Sequence, residues 1–147
     1  MRLTTQFCEI DVPDQWNVEY GSGALGSIIT AEGDHHILRV ERALDGLVPA
    51  RTLLAHVSAV SRQNLDGYEP GDEQPAVVFG AGPALERIVA TDEGAAGSFV
   101  QLEIVAEGFD NHMWYVRVSS SRGQFDYDLA RSILESLQIR FVPTSQE

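Results

Sequence analysis

The chain has 147 residues, 44% of them hydrophobic and 22% charged, a globular composition that excludes collagen-like, coiled-coil and disordered classes. At that length one domain over 1–147 is expected, with an ordered core over about 6–142. A formal net charge of −12 and a pI of about 4.6 leave no basic stripe for phosphates, so nucleic acid is not an expected partner.

Taken in chain order, the opening Met1-Arg2-Leu3-Thr4-Thr5-Gln6 lacks the apolar core and small-residue cleavage site of a secretory signal. No run approaches the ~18 consecutive apolar residues of a membrane span, so stable membrane insertion is not expected. The single cysteine, Cys8, cannot form an internal disulfide and suits a reducing, cytoplasmic setting.

Phe7 to Val12 alternates, placing Cys8, Ile10 and Val12 on one face of a half-buried strand that Pro13 stops. Trp16 follows in a turn that carries it back to the core. Asn17 to Tyr20 and Ser27 to Thr30 read as paired strands around a glycine-rich connection, and His36 to Glu41 extends the meander. Pro49 announces a helix that ends near Asn64, with Leu53, Leu54, Val57, Val60 and Ser61 on its apolar side and Arg51, His56, Ser58 and Arg62 pointing elsewhere. An acidic, irregular connection comes next: Asp66, Glu69, Asp72, Glu73, Glu86, Asp92 and Glu93 face only Arg87, which reads as a solvated surface or as an edge for a basic partner.

Strands are expected at Ala76 to Phe79, Leu85 to Ala90, Phe99 to Ala106 and Met113 to Ser119, the last two joined by a turn at 108–111. A second helix runs from about Gln124 to Leu137, and Ile139, Phe141 and Val142 add a terminal strand. The last hairpin is apolar on both sides. Val100, Leu102, Ile104, Ala106, Trp114, Val116 and Val118 line one face; Phe99, Val105, Met113 and Tyr115 lie on the other. A sheet covered once would be polar outside. Either helices pack on both faces or one apolar face is open as a groove for a partner.

Several motifs fail on mechanism. Gly21-Ser22-Gly23-Ala24-Leu25-Gly26 has the letters of a dinucleotide loop, but the β-branched stretch after it gives no helix N-terminus for a pyrophosphate. Gly80-Ala81-Gly82-Pro83 lacks the lysine and hydroxyl of a phosphate loop. His35 and His36 are adjacent on a strand and point to opposite faces, so with a distant His112 they make a poor metal set. Cys8 sits among apolar neighbours without a base, and Glu103 with Glu107 has no cleft to make it a glycosidase pair.

The spacing Phe7-x-x-Ile10-x-Val12-Pro13-x-x-Trp16, the meander, the mid-chain helix, the long hairpin and a closing helix with Phe125, Ile133-Leu134 and Ser136-Leu137 resemble the PsbP-like superfamily. That group includes the extrinsic photosystem II protein, the Ran-binding Mog proteins and effector-associated chaperones of type VI secretion. The resemblance implies an α+β fold, an α/β/α sandwich around a central antiparallel sheet, in proteins that bind other proteins. The expected function is a non-catalytic protein-binding or chaperone-like module sheltering an apolar segment of a secreted effector, without a cofactor, and compatible with a homodimer. Its partner surface is expected at Phe99, Val105, Met113 and Tyr115. The alternative is a small-ligand or metal-binding enzyme-like domain with a pocket near His35, His36 or His112.

Overall fold

Alternation of apolar and polar residues suits the two-residue period of a pleated strand, and strands dominate the chain. The computed structural model describes residues 1–92 and 98–141. In order, the elements are β1 (Arg2–Thr4), β2 (Cys8–Asp11), β3 (Asn17–Tyr20), β4 (Gly26–Gly33), β5 (His36–Asp45), α1 (Ala50–Asn64), β6 (Glu69–Pro70), β7 (Gln74–Ala76), β8 (Ala81–Ala90), β9 (Phe99–Gly108), β10 (His112–Ser121), α2 (Tyr127–Glu135) and β11 (Gln138–Ile139). A large sheet runs in the order β3-β4-β5-β10-β9-β8-β6 with β7 also on β8, and a small one is β1-β2-β11. All these strand pairs are antiparallel.

The central hairpin sets the layers. From β9 and β10, Leu102, Ile104, Ala106, Trp114, Val116 and Val118 enter one core with Ala130, Ile133 and Leu134 of α2 and with Cys8 and Ile10 of β2. On the other face Val105 and Met113 meet Ala50, Leu53 and Leu54 of α1. The large sheet is therefore covered on both sides. This is the α/β/α sandwich, an α+β architecture with an antiparallel centre.

Local chemistry explains most boundaries. Asp34 and His35 take φ of 50° and 66°, the paired positive values of a two-residue hairpin turn between β4 and β5, and Trp16 Nε1 donates to Asp34 Oδ2 at 2.8 Å. Helix α2 is shorter than its apolar stripe suggests because Asp126 caps it, its carboxylate accepting from Leu129 N at 3.1 Å. At the other end Ser136 Oγ accepts from Asp11 N at 2.8 Å, which ties the helix exit to β2.

Three expectations shift. Strand β1 carries no periodic signal in three residues, yet Leu3 pairs with Ile10. The strand expected at Ala76 to Phe79 lies earlier, as β7, and Val77 (99% exposed) and Phe79 (71%) leave the sheet. The cause is a different partner: Phe79 O accepts from Ile139 N at 2.8 Å. Gly80, at φ 88°, permits that crossing, since a Cβ there would strike Ile139 O. The terminal strand is only Gln138–Ile139; Phe141 is exposed, and Val142 lies outside the described residues.

The cap of α2 gives a first prediction. Asp126→Ala should lower the stability measured by urea unfolding by about 1 kcal/mol, and Asp126→Asn should restore most of it.

Candidate functional site

Five alternate residues of β9, from Phe99 through Gln101, Glu103 and Val105 to Glu107, point to the face beneath α1. Two are apolar and three are polar, so this face is a mixed surface. Glu103 is its centre. Arg87 Nε donates to Glu103 Oε2 at 2.7 Å, with the two side chains 3% and 1% exposed. Glu103 Oε1 accepts from Tyr115 Oη at 2.9 Å and from Gln101 Nε2 at 2.7 Å. Arg87 Nη2 donates to Tyr68 Oη at 3.0 Å and to the Leu54 carbonyl at 3.4 Å. Both Glu103 oxygens and the Nε and Nη2 groups of Arg87 have protein partners here, the kind of pairing under which a buried ion pair is tolerated.

This network corrects the expected helix face. Ser58 is buried, with its hydroxyl 3.4 Å from Tyr68 Oη, because the sheet beneath that turn is polar; Val60 is 44% exposed. The first turn of α1 lacks a side-chain cap of its own, and Glu107 reaches across from β9 to accept from Ala50 N at 3.0 Å. Glu107 therefore serves α1 directly, and Glu103 only through Arg87. Burial first, and Glu103 second, push the Tyr115 phenol well above its ordinary value, so it stays a hydrogen-bond donor.

Beyond Ser58 the helix lifts from the sheet. His56, Val57, Val60, Ser61 and Leu65 on one side and Phe99, Gln101, Tyr115 and Arg117 on the other enclose an open cleft of about 350 Å³. Arg117 lies over the Tyr115 ring at 4.5 Å and pairs with Glu41 at 2.7 Å. Phe99 and Tyr115 are thus brought together at one accessible place. Val105 and Met113 are not: both are 0% exposed beneath α1, so with the helix in place any partner contact on this face falls to Phe99 and Tyr115.

The histidines stay apart. His36 is buried against Phe125, and its Nε2 accepts from Asp126 N at 3.0 Å, so the Nδ1 proton is donated to the Asp34 carbonyl at 2.6 Å. His35 is exposed in the turn. His112 lies at the far end of β10, its Nε2 3.3 Å from Asp45 and its Nδ1 2.8 Å from Arg42 Nη2. Since His36 pairs with Ser120 and His112 with Asp45, the length of the β5–β10 ladder separates them. Asn17, Glu32, Gly33, His35, His36 and Ile37 form a shallow cleft at the near end.

The glycine run is a hairpin connection between β3 and β4, and the helix a dinucleotide would need does not follow it. Gly80 to Pro83 likewise turns into β8. One anchor escaped the sequence reading: Arg42, 5% exposed, pairs with Asp110 at 3.0 Å, stacks on Phe7 at 4.2 Å and donates to the Ala24 carbonyl. It ties the glycine-rich loop to the core. Above it, residues 4–7 and 20–24 border a cleft of about 450 Å³ whose lining carries no carboxylate and no base. The inward charges Arg42 and Arg87 had one sign in the sequence: each occupies an alternate position among largely apolar residues, whereas Glu103 stands between Gln101 and Val105 with no such sign.

No family model matches the sequence, and none of the curated proteins matches it. Solved structures do. The solution structure of cyanobacterial PsbP (CyanoP) from Synechocystis sp. PCC 6803 superposes with a TM-score of 0.68 over 95% of this chain and 92% of that one, at 15% identity. The fold is PsbP-like. LpqN, involved in cell envelope biogenesis of Mycobacterium tuberculosis, shares it at a TM-score of 0.56 and 15% identity, over 90% of this chain and 82% of that one. Among the described residues, no helix of this PsbP-like chain is long and apolar enough to cross a membrane.

Two predictions test the buried groups. Arg87→Leu and Glu103→Leu should each cost about 3–5 kcal/mol in denaturant unfolding, and the double variant distinctly less than their sum, because only the single changes strand a charge. Burial pushes the Cys8 thiol up to about 11. Thiolate is the reactive form, so a maleimide at pH 7.5 should label folded protein far more slowly than urea-unfolded protein, as read by mass spectrometry.

Proposed function

We propose that the chain is a non-catalytic, chaperone-like protein-binding module that holds an apolar segment of a partner protein, and that it works in the cytoplasm. The carrying observation is the cleft beside α1, where Val57, Val60, Leu65, Phe99 and Tyr115 leave apolar surface accessible along a rigid sheet. Of the ionisable groups beside it, Arg117 pairs with Glu41 and Glu103 with Arg87 and Tyr115, while His56 also borders the cleft. Such a cleft gains affinity from apolar area, at about 25 cal/mol per Å² before ordering costs. The implied role of the PsbP-like superfamily in binding proteins points the same way. A buried, unreactive thiol agrees with a reducing compartment.

A fluorescent synthetic helix of alternating leucine and alanine with terminal lysines is a direct probe. It should bind the folded protein, and Val60→Asp or Phe99→Asp should weaken binding at least tenfold while the melting temperature stays within a few degrees. Unchanged binding in both variants would remove this reading.

A further inference from the structure

The large sheet ends in two unlike edges. At one, β6 and β7 are two and three residues long and carry Pro70 and Pro75, which have no N–H to offer an incoming strand. At the other, β3 pairs with β4 alone and contains neither proline nor lysine. The first edge is blunted and the second is not.

The register identifies the free groups. Gly21 N donates to Ile28 O at 2.8 Å. In an antiparallel ladder bonded and non-bonded pairs alternate, so Asn17, Glu19 and Gly21 face β4 while Val18 and Tyr20 turn their N–H and C=O groups outward. The side chains alternate as well. Val18 packs on the core and Tyr20, 54% exposed, flanks the cleft bordered by residues 4–7 and 20–24. Glu19 and Asn17 are exposed on the opposite face, Glu19 across from Thr30 and Asn17 across from the exposed Glu32.

These positions also select the occupant. Two copies pairing through all four outward groups would set Val18 against Tyr20 and Glu19 directly against its own copy, about 4.5 Å apart at Cα. Both copies would carry a net charge of −12 besides. A second copy is therefore disfavoured. We propose that β3 is a docking edge for an extended segment of another protein, which carries Lys or Arg opposite Glu19 and apolar residues on either side. Main-chain bonds to Val18 and Tyr20 supply the pairing, Glu19 and Glu32 select the cation, and the uncharged cleft beside Tyr20 receives one apolar side chain. This edge is distinct from the cleft beside α1, so either reading can fail without the other.

The test is an amide NMR titration of the full chain with an acetylated, amidated peptide alternating lysine and valine over seven residues, and with its glutamate-for-lysine counterpart. The lysine peptide should shift the Val18 and Tyr20 amides, and the glutamate peptide should bind at least fivefold more weakly. Val18→Pro removes an outward N–H while sparing the bonds to β4, a change edge strands tolerate. It should reduce binding at least fivefold, with the remaining resonances in place. Should that variant not fold, Glu19→Lys decides, since it should reverse the preference between the two peptides. Shifts elsewhere, an unchanged preference in Glu19→Lys, or concentration-dependent protection of the Val18 amide without peptide would overturn the proposal, the last in favour of self-association.

Discussion

The β9–β10 hairpin is apolar on both faces, and a sheet with that property must be covered twice. Everything else in the fold answers this requirement. On one side Trp114, Leu102 and Val116 draw α2 and the small β1-β2-β11 sheet onto them; on the other Val105 and Met113 draw α1. The two layers differ in kind. The first is almost wholly apolar, whereas α1 rests on a short apolar strip and then on the Arg87–Glu103 network. That difference opens the cleft at the far end of α1, because a polar floor cannot hold a helix by burial of area once Leu54 is passed.

Much of this was legible in the sequence because it depends on period. The alternation from Phe99 to Ala106 and from Met113 to Ser119 assigns side chains to faces without tertiary knowledge, and the apolar stripe of α2 is carried by Ala130, Ile133 and Leu134 with Leu137 just past its end. Elements whose order comes from a tertiary partner, with no period of their own, were not legible. Nothing local in Arg2-Leu3-Thr4 marks a strand, since its partner β2 supplies the order. Ser58 reads as a solvent-facing residue until Tyr68 and Arg87 are placed beneath it. The same holds for Val60, which carries an apolar side chain at helical spacing and is left exposed at the cleft.

The candidate site follows that division. Phe99 and Tyr115 were readable as aromatics on the second face, and the structure sets both beside the cleft. Val105 and Met113 share the face but lie where α1 is anchored by Glu107, a contact that no spacing rule anticipates. The histidines show the limit from the other side. His35, His36 and His112 invite a common role in the sequence, and the β5–β10 ladder holds His36 and His112 at opposite ends.

The small sheet has a bearing on how the protein is made. Its middle strand, β2, is bonded on one side to β1 and on the other to β11, and Asp11 meets Ser136 across 125 positions of sequence. On a ribosome, Cys8 and Ile10 emerge well before α2 and β11 and wait for them to be made before they can be covered. Contacts of that span form slowly and leave apolar strands open meanwhile. Completion of this fold consequently waits for its last helix and strand, and the nascent chain, before the finished protein, is the form most exposed to wrong partners.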